Sequence, residues 1–354
     1  MENNEIHEES EIELETGEDE SIPYRYSITS FGADYPVDSL VKRLKSKAIY
    51  IPPFQRNFVW SLSQSTKFIE SLLLGLPIPG IFLAKEDDNK MIVIDGQQRL
   101  KSLQMFYEES FNDKKFYLSG VQERFEGKTY STLNEEDRLH LDDQIIHATI
   151  IKQDEPRDDD SSIYLIFERL NTGGLQLQPQ EIRASIYSGK FNELLSELNE
   201  LKEWREIFGQ KSKRLKDQEL ILRFLALFYN RNNYMKPLRY FLNTFMSENK
   251  NLNKISEQDI KAIFTETLKY IHKAIGNKAF RPIRSINASA FDSIMVATAD
   301  MISSGQVPTE KIYSQKYNSI ISTDDFIRLV KVGTSDGEAV KARLKFTKDT
   351  FEFL

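Results

Sequence analysis

Apolar residues recur along this chain at two different spacings, and the spacing changes near residue 190. Before that point, short apolar runs alternate with amphipathic stretches. Residues 91–94 (MIVI) are a compact apolar run that Asp95-Gly96 breaks, and Leu100, Leu103 and Phe106 then follow at helical intervals. That pattern predicts a buried strand, a tight turn and an amphipathic helix running to about residue 108. Val37, Leu40, Val41 and Leu44 predict a helix, and residues 48–51 a strand that Pro52-Pro53 ends. A helix follows over 63–74. Strands at 81–84 and 91–94 flank the polar stretch 85–90 as a hairpin. One or two short strands are expected within 111–118, a helix capped by Asn134 over 134–140, a strand over 144–152 and a helix over 161–170. Pro179 opens the next helix, a position that suits proline.

Beyond 190 the period is helical almost throughout. Helices are predicted over 191–201, 204–208, 217–229, 237–246, 256–275, 288–302, 324–332 and 336–345. The stretch 217–229 is apolar nearly all round (Leu220, Ile221, Phe224, Leu225, Leu227, Phe228), so it should be central. The expected class is α+β, with a small mixed sheet in an N-terminal core and an all-α C-terminal lobe. The expected divisions are an acidic disordered tail at 1–22, a core at 23–188 and a helical lobe at 189–354.

Charge sharpens the first division. The net charge of −7 comes from the first twenty residues, which hold ten acidic side chains and no Lys or Arg; the remainder has 44 acidic against 47 basic groups. The body is therefore near neutral and the tail solvating. The absence of cysteine excludes disulfides, thiolate metal sites and cysteine nucleophiles, and fits a reducing cytoplasm. No apolar run approaches the roughly 20 residues that a membrane span needs, and the acidic N-terminus is unlike a secretion signal.

Candidate chemistry gathers in three turns. After Asp95-Gly96, the first helical turn carries Gln97, Gln98 and Arg99: two amides and a planar guanidinium beside unpaired helix N–H groups, a set suited to phosphate oxygens. The plain alternative is that Asp95 caps the helix and Arg99 pairs with a carboxylate. Residues 49–56 (IYIPPFQR) run from a strand into a proline-bound turn ending in Gln55-Arg56, with Phe54, Phe58 and Trp60 set either to stack on a base or to fill the core. Residues 167–174 (FERLNTGG) end in Asn171-Thr172-Gly173-Gly174, which reads either as an anion-binding turn or as a helix C-cap. Glu181 and Arg183 follow and could face the same site; solvated surface is the default for both.

IPPFQR, then IDGQQR about forty residues on, then FERLNTGG, in that order, resemble the N-terminal domain family of GmrSD-type restriction endonucleases over roughly residues 35–230. The resemblance implies a ParB/sulfiredoxin-like core, and a DGQQR motif associated with nucleotide binding and hydrolysis. It also implies a setting in anti-phage or DNA-modification-dependent restriction. On that basis Asp95, Gln97 and Gln98 are the expected catalytic residues. Gln55, Arg56, Gly96, Arg99 and Asn171 to Gly174 are the expected nucleotide contacts, and Asp95 is the expected Mg²⁺ ligand. The activity implied is that of a nucleoside triphosphatase.

Family members that cut DNA often carry a C-terminal HNH-type nuclease domain. Only four histidines occur here (His7, His140, His147, His272), and none lies in 273–354, so cleavage would need a separate nuclease subunit. No GxxxxGK[ST] loop is present. The competing reading is a DNA-binding module, or a partner-recruiting scaffold, without turnover. A local basic run (Lys211, Lys213, Arg214, Lys216) would serve the first of these.

Overall fold

The computed structural model describes residues 12–13, 27–52, 58–86, 88–155, 161–170, 177–331 and 335–352. Gln55, Arg56 and Asn171 to Gly174 lie outside them, as does most of the acidic segment. Within that segment β1 (Ile12–Glu13) is placed. The chain divides into two units: residues 25–177 with 184–186, and residues 1–24, 178–183 and 187–354.

The first unit is a mixed sheet with helices. β2 (Ser27–Pro36) leads into α1 (Val37–Lys45), β3 (Ile49–Tyr50) and α2 (Leu62–Leu73). A hairpin of β4 (Ile81–Lys85) and β5 (Met91–Asp95) follows, then α3 (Gln97–Tyr107). A small ribbon of β6 (Ser110–Phe111) and β7 (Lys114–Lys115), α4 (Glu135–Asp143), the long β8 (Ile145–Glu155) and α5 (Ser161–Leu170) complete it. Five strands pair in the order β2-β8-β4-β5-β3. β2 runs antiparallel to β8, β8 parallel to β4, β4 antiparallel to β5, and β5 parallel to β3.

One face of the sheet packs on helices. Val37, Leu40 and Val41 of α1, Ile69 and Leu72 of α2 and Leu100, Leu103 and Phe106 of α3 are buried with Leu83, Val93, Ile146, Ala148 and Ile150 of the strands. The i, i+3, i+4 spacing of the helical residues and the alternation of the strand residues are what put them on one face. Helix starts follow local chemistry. Ser61 and Gln64 form a capping box on α2, and the Asn134 side chain accepts the Asp137 amide (2.7 Å) at the start of α4.

The second unit is almost wholly helical. It holds the first part of α6 (Pro179–Ile186), then α7 (Lys190–Leu198), α8 (Lys202–Phe208), α9 (Lys216–Asn230), α10 (Leu238–Glu248) and α11 (Glu257–Ile275). β9 (Ile286–Asn287), which pairs in parallel with β1, leads into α12 (Ala288–Ser304), α13 (Glu310–Ile321), α14 (Asp324–Lys331) and α15 (Gly337–Glu352). α9 is buried along most of its length, as its all-round apolar pattern implies. Its one long cation inside that stretch, Arg223, meets Asp292 of α12 through Nη2 at 2.6 Å, and Arg343 of α15 reaches the same carboxylate oxygen at 3.4 Å. All three side chains are fully buried.

Candidate functional site

The turn after β5 is built by a bulge and a glycine. Phe82 of β4 faces Asp95, but the next β4 residue, Leu83, faces Val93, so Ile94 is an extra residue in β5. Regular alternation would set Asp95 on the same face as the core residue Val93; the bulge resets that alternation. Asp95 emerges 44% exposed at the end of the strand.

Gly96 then takes φ +97°, ψ +8° and starts α3. A Cβ there would lie 2.5 Å from Ile81 Cγ2, so the space a side chain would need is already filled by β4. The close approach that this glycine permits is made by the protein itself. α3 begins with no side-chain cap and no acidic residue in its first turn. Its first N–H groups and its dipole thus face the turn without a competing carboxylate on the helix itself.

Each of the three polar residues that follow has a distinct placement. Gln97 is buried. Gln98 Oε1 accepts the backbone amides of Val59 (3.0 Å) and Trp60 (3.2 Å), which follow the IPPFQR segment in sequence. Arg99, 12% exposed, donates from Nη2 to Asp95 Oδ2 (2.9 Å) and from Nη1 to the Pro79 carbonyl (2.6 Å). The ion pair that the plain reading of Arg99 foresees is therefore present, with Asp95 itself as the partner. It orients the carboxylate and pins the entry to β4. Asp95, Gly96, Gln97, Gln98 and Arg99 are brought together in one turn. Lys101, one turn after Gln97 on the same helix, is half-buried, and burial lowers its ammonium below the usual lysine range. Its spacing from Gln97 was visible in the sequence; its burial was not.

Of the aromatic residues near the turn, Phe54 lies outside the described residues, and Phe58 and Trp60 are half-buried against other rings. Phe58 packs edge-on against Phe111 and Trp60 against Phe68, both with ring centroids 5.7 Å apart. His147 is exposed on β8. Its Nδ1 lies 2.8 Å from Asp34 of the paired strand β2. Its backbone carbonyl backs onto Gly80, the residue after Pro79.

In the helical unit, Glu181 and Arg183 depart from the surface default. Arg183 is buried and donates to Asn243 Oδ1 (2.9 Å), Gln180 Oε1 (3.1 Å) and Glu219 (3.2 Å). Glu181 is buried and pairs with Arg214 (2.9 Å). Lys211 pairs with Glu200 (2.5 Å), so two of the four cations of the basic run 211–216 are matched by carboxylates.

Among the described residues no helix is long and apolar enough to cross a membrane, and no group of three or more His, Cys, Asp or Glu could hold a metal ion. No curated protein matches the chain. A family model does: residues 37–188 match the GmrSD restriction endonuclease N-terminal domain, a span that contains the IPPFQR, IDGQQR and FERLNTGG segments and stops before the helices that begin at 190. Over that segment, less than half of the chain, the sequence carries the features of the GmrSD restriction endonuclease N-terminal domain family.

Proposed function

We propose that this protein is a nucleotide-binding, NTP-hydrolysing regulator within a restriction system, acting with a separate nuclease subunit. The setting follows from the family of residues 37–188. The observation that carries the finer reading is the turn 95–99. A half-exposed carboxylate, two amides and a guanidinium gather at an uncapped helix start with no acid in its first turn. Such a start favours phosphate oxygens.

In this reading the first-turn amides of α3 receive phosphate oxygens. Arg99 holds Asp95 in a fixed rotamer, and Asp95 orients the attacking water. Gln97 contacts the nucleotide, and Gln98 anchors the segment after IPPFQR so that Gln55 and Arg56 can contribute. Fixed charge and position are what phosphoryl transfer demands of a protein. Asp95 suits Mg²⁺ only as one ligand among phosphate oxygens and water, which is how Mg²⁺ is commonly held; the ion would supply neutralisation of phosphate charge.

Calorimetric titration with ATP, GTP, CTP and UTP plus Mg²⁺ tests this. One nucleotide should bind the wild type, and Arg99→Ala should bind it at least about tenfold more weakly. Arg99→Lys, which keeps the charge but not the two-pronged geometry, should fall between them. Asp95→Asn should keep binding and lose turnover. Equal affinity in wild type and a folded Arg99→Ala would overturn the assignment.

A further inference from the structure

The helical unit contains an open cleft of about 760 Å³, formed by the end of α9, the connection to α10, α10 itself and the segment after it. It lies wholly within residues 229–255, outside the segment that matches the family. Its walls are aromatic: Tyr229, Tyr234, Tyr240, Phe241 and Phe245 line it. Its polar groups are mostly amides, from Asn230, Asn232, Asn233 and Asn249. The two charged side chains on the lining, Glu248 and Lys254, pair with each other at 3.0 Å, so the cleft is electrically neutral. Burial, and then the nearby Asp259, push the Tyr229 hydroxyl up to about 12, which keeps it protonated and neutral as well.

Two buried oxygens of residues that line the cleft are left over. Asn249 is 1% exposed; its Nδ2 donates to the Phe245 carbonyl at 2.8 Å, while its Oδ1 has no hydrogen-bond partner. The Thr244 hydroxyl, one turn earlier on the same wall, is also buried without a partner. A buried acceptor left unmatched is costly, so such groups are expected to meet a donor when their site is filled.

We propose that this cleft is a second binding site and that its ligand is a nucleobase, presented either as a free nucleoside or as an unstacked base of a single strand. Aromatic walls stack on the π-face of any base. Side-chain amides set a donor beside an acceptor in one plane, which matches the paired donor and acceptor edge of a base. The unmatched Asn249 oxygen takes an N–H, and the Thr244 hydroxyl completes the edge. A sugar can lay its C–H face on an aromatic ring but offers no planar edge with a donor beside an acceptor. A phosphate would find no unmatched cation among the lining residues, because Lys254 is taken by Glu248.

The test is saturation-transfer NMR on the full chain with adenosine, cytidine, guanosine and uridine, with ribose as control, and in parallel a short mixed-sequence single strand. At least one nucleoside, or the strand, should show transfer to base protons, and ribose none. Thr244→Val, which removes the hydroxyl at nearly constant shape, should weaken binding by about fivefold, the worth of one hydrogen bond. Arg99→Ala should leave it unchanged, which separates this cleft from the turn at 95–99. Binding to the nucleoside itself identifies a free ligand; binding only to the strand identifies nucleic acid. No transfer to any base, transfer to ribose alone, or binding lost in Arg99→Ala but kept in Thr244→Val would overturn the proposal.

Discussion

Gln98 Oε1 accepts two consecutive backbone amides, those of Val59 and Trp60, across 39 and 38 residues of sequence. One side chain of the DGQQR turn thus holds the segment that follows IPPFQR. Gln98→Leu keeps approximate size and removes the acceptor, leaving two amides without their partner. The expected cost is about 1–3 kcal/mol in urea unfolding. Nucleotide binding should fall with it, because Val59 and Trp60, which follow the IPPFQR segment, lose their anchor. A variant with wild-type stability and wild-type binding would show that the link between the two motifs is incidental.

Gly96 combines a left-handed backbone with contact against Ile81. Gly96→Ala should therefore lose stability on two counts, together roughly 2–4 kcal/mol. The double variant Gly96→Ala/Ile81→Ala separates them. Removing the Ile81 branches relieves the clash, so its loss should be smaller than the sum of the single losses, while the φ strain persists. Strict additivity in denaturant midpoints would argue that the contact with Ile81 is not what excludes a side chain.

Asp292 serves two buried arginines, Arg223 and Arg343, on three different helices. Asp292→Asn keeps the shape and strips the charge, leaving two guanidinium groups in the core without their counter-ion. A loss of about 3–5 kcal/mol is expected. The transition affected should be that of the helical unit, followed by near-UV circular dichroism of its single tryptophan, Trp204. A change below about 0.5 kcal/mol would mean that hydrophobic packing of α9 and α12 carries the core alone.

Glu70 provides a pH handle. Its carboxyl is held below the usual glutamate range, first by the hydrogen bond from Lys67, against an opposing effect of burial, and then by the backbone amide of Gln122. A lowered folded-state pKa means the carboxylate's contribution is complete above the unfolded value. It disappears as the pH falls through the folded value. Lys67 is largely exposed, so the effect should be modest, roughly 1 kcal/mol. Glu70→Gln should be less stable than wild type at neutral pH, and the gap should close below the usual glutamate range. A gap that stays constant down the acid limb would assign the loss to packing instead.

The helical lobe and most of the sheet were legible because their patterns repeat. The hairpin at 81–95, the helix after Gly96 and the central helix 217–229 all follow from spacing alone. β2 was not legible. Ser27 to Asp34 carry few large apolar residues and stay mostly exposed, and the strand is held by its ladder to β8, a partner more than a hundred residues away. α13 was also passed over, although Tyr313, Tyr317 and Ile320 are buried at helical intervals; polar residues between them dilute the signal. At the site, the residue types were readable but their partners were not. The chain alone could not say that Arg99 would meet both Asp95 and the Pro79 carbonyl. Nor could it say that Arg183 would be enclosed by residues from α9 and α10.

The turn at 95–99 is spelled by its neighbours as much as by any ligand. Ile81 dictates the glycine, the amides of Val59 and Trp60 dictate the second glutamine, and the Pro79 carbonyl together with Asp95 dictates the arginine. A descendant that abandoned its chemistry would still inherit most of these letters, because losing them would loosen the sheet. The mark of a retired site would then be narrow: erosion at Gln97 and at the open side of Asp95, inside a motif that otherwise reads as intact.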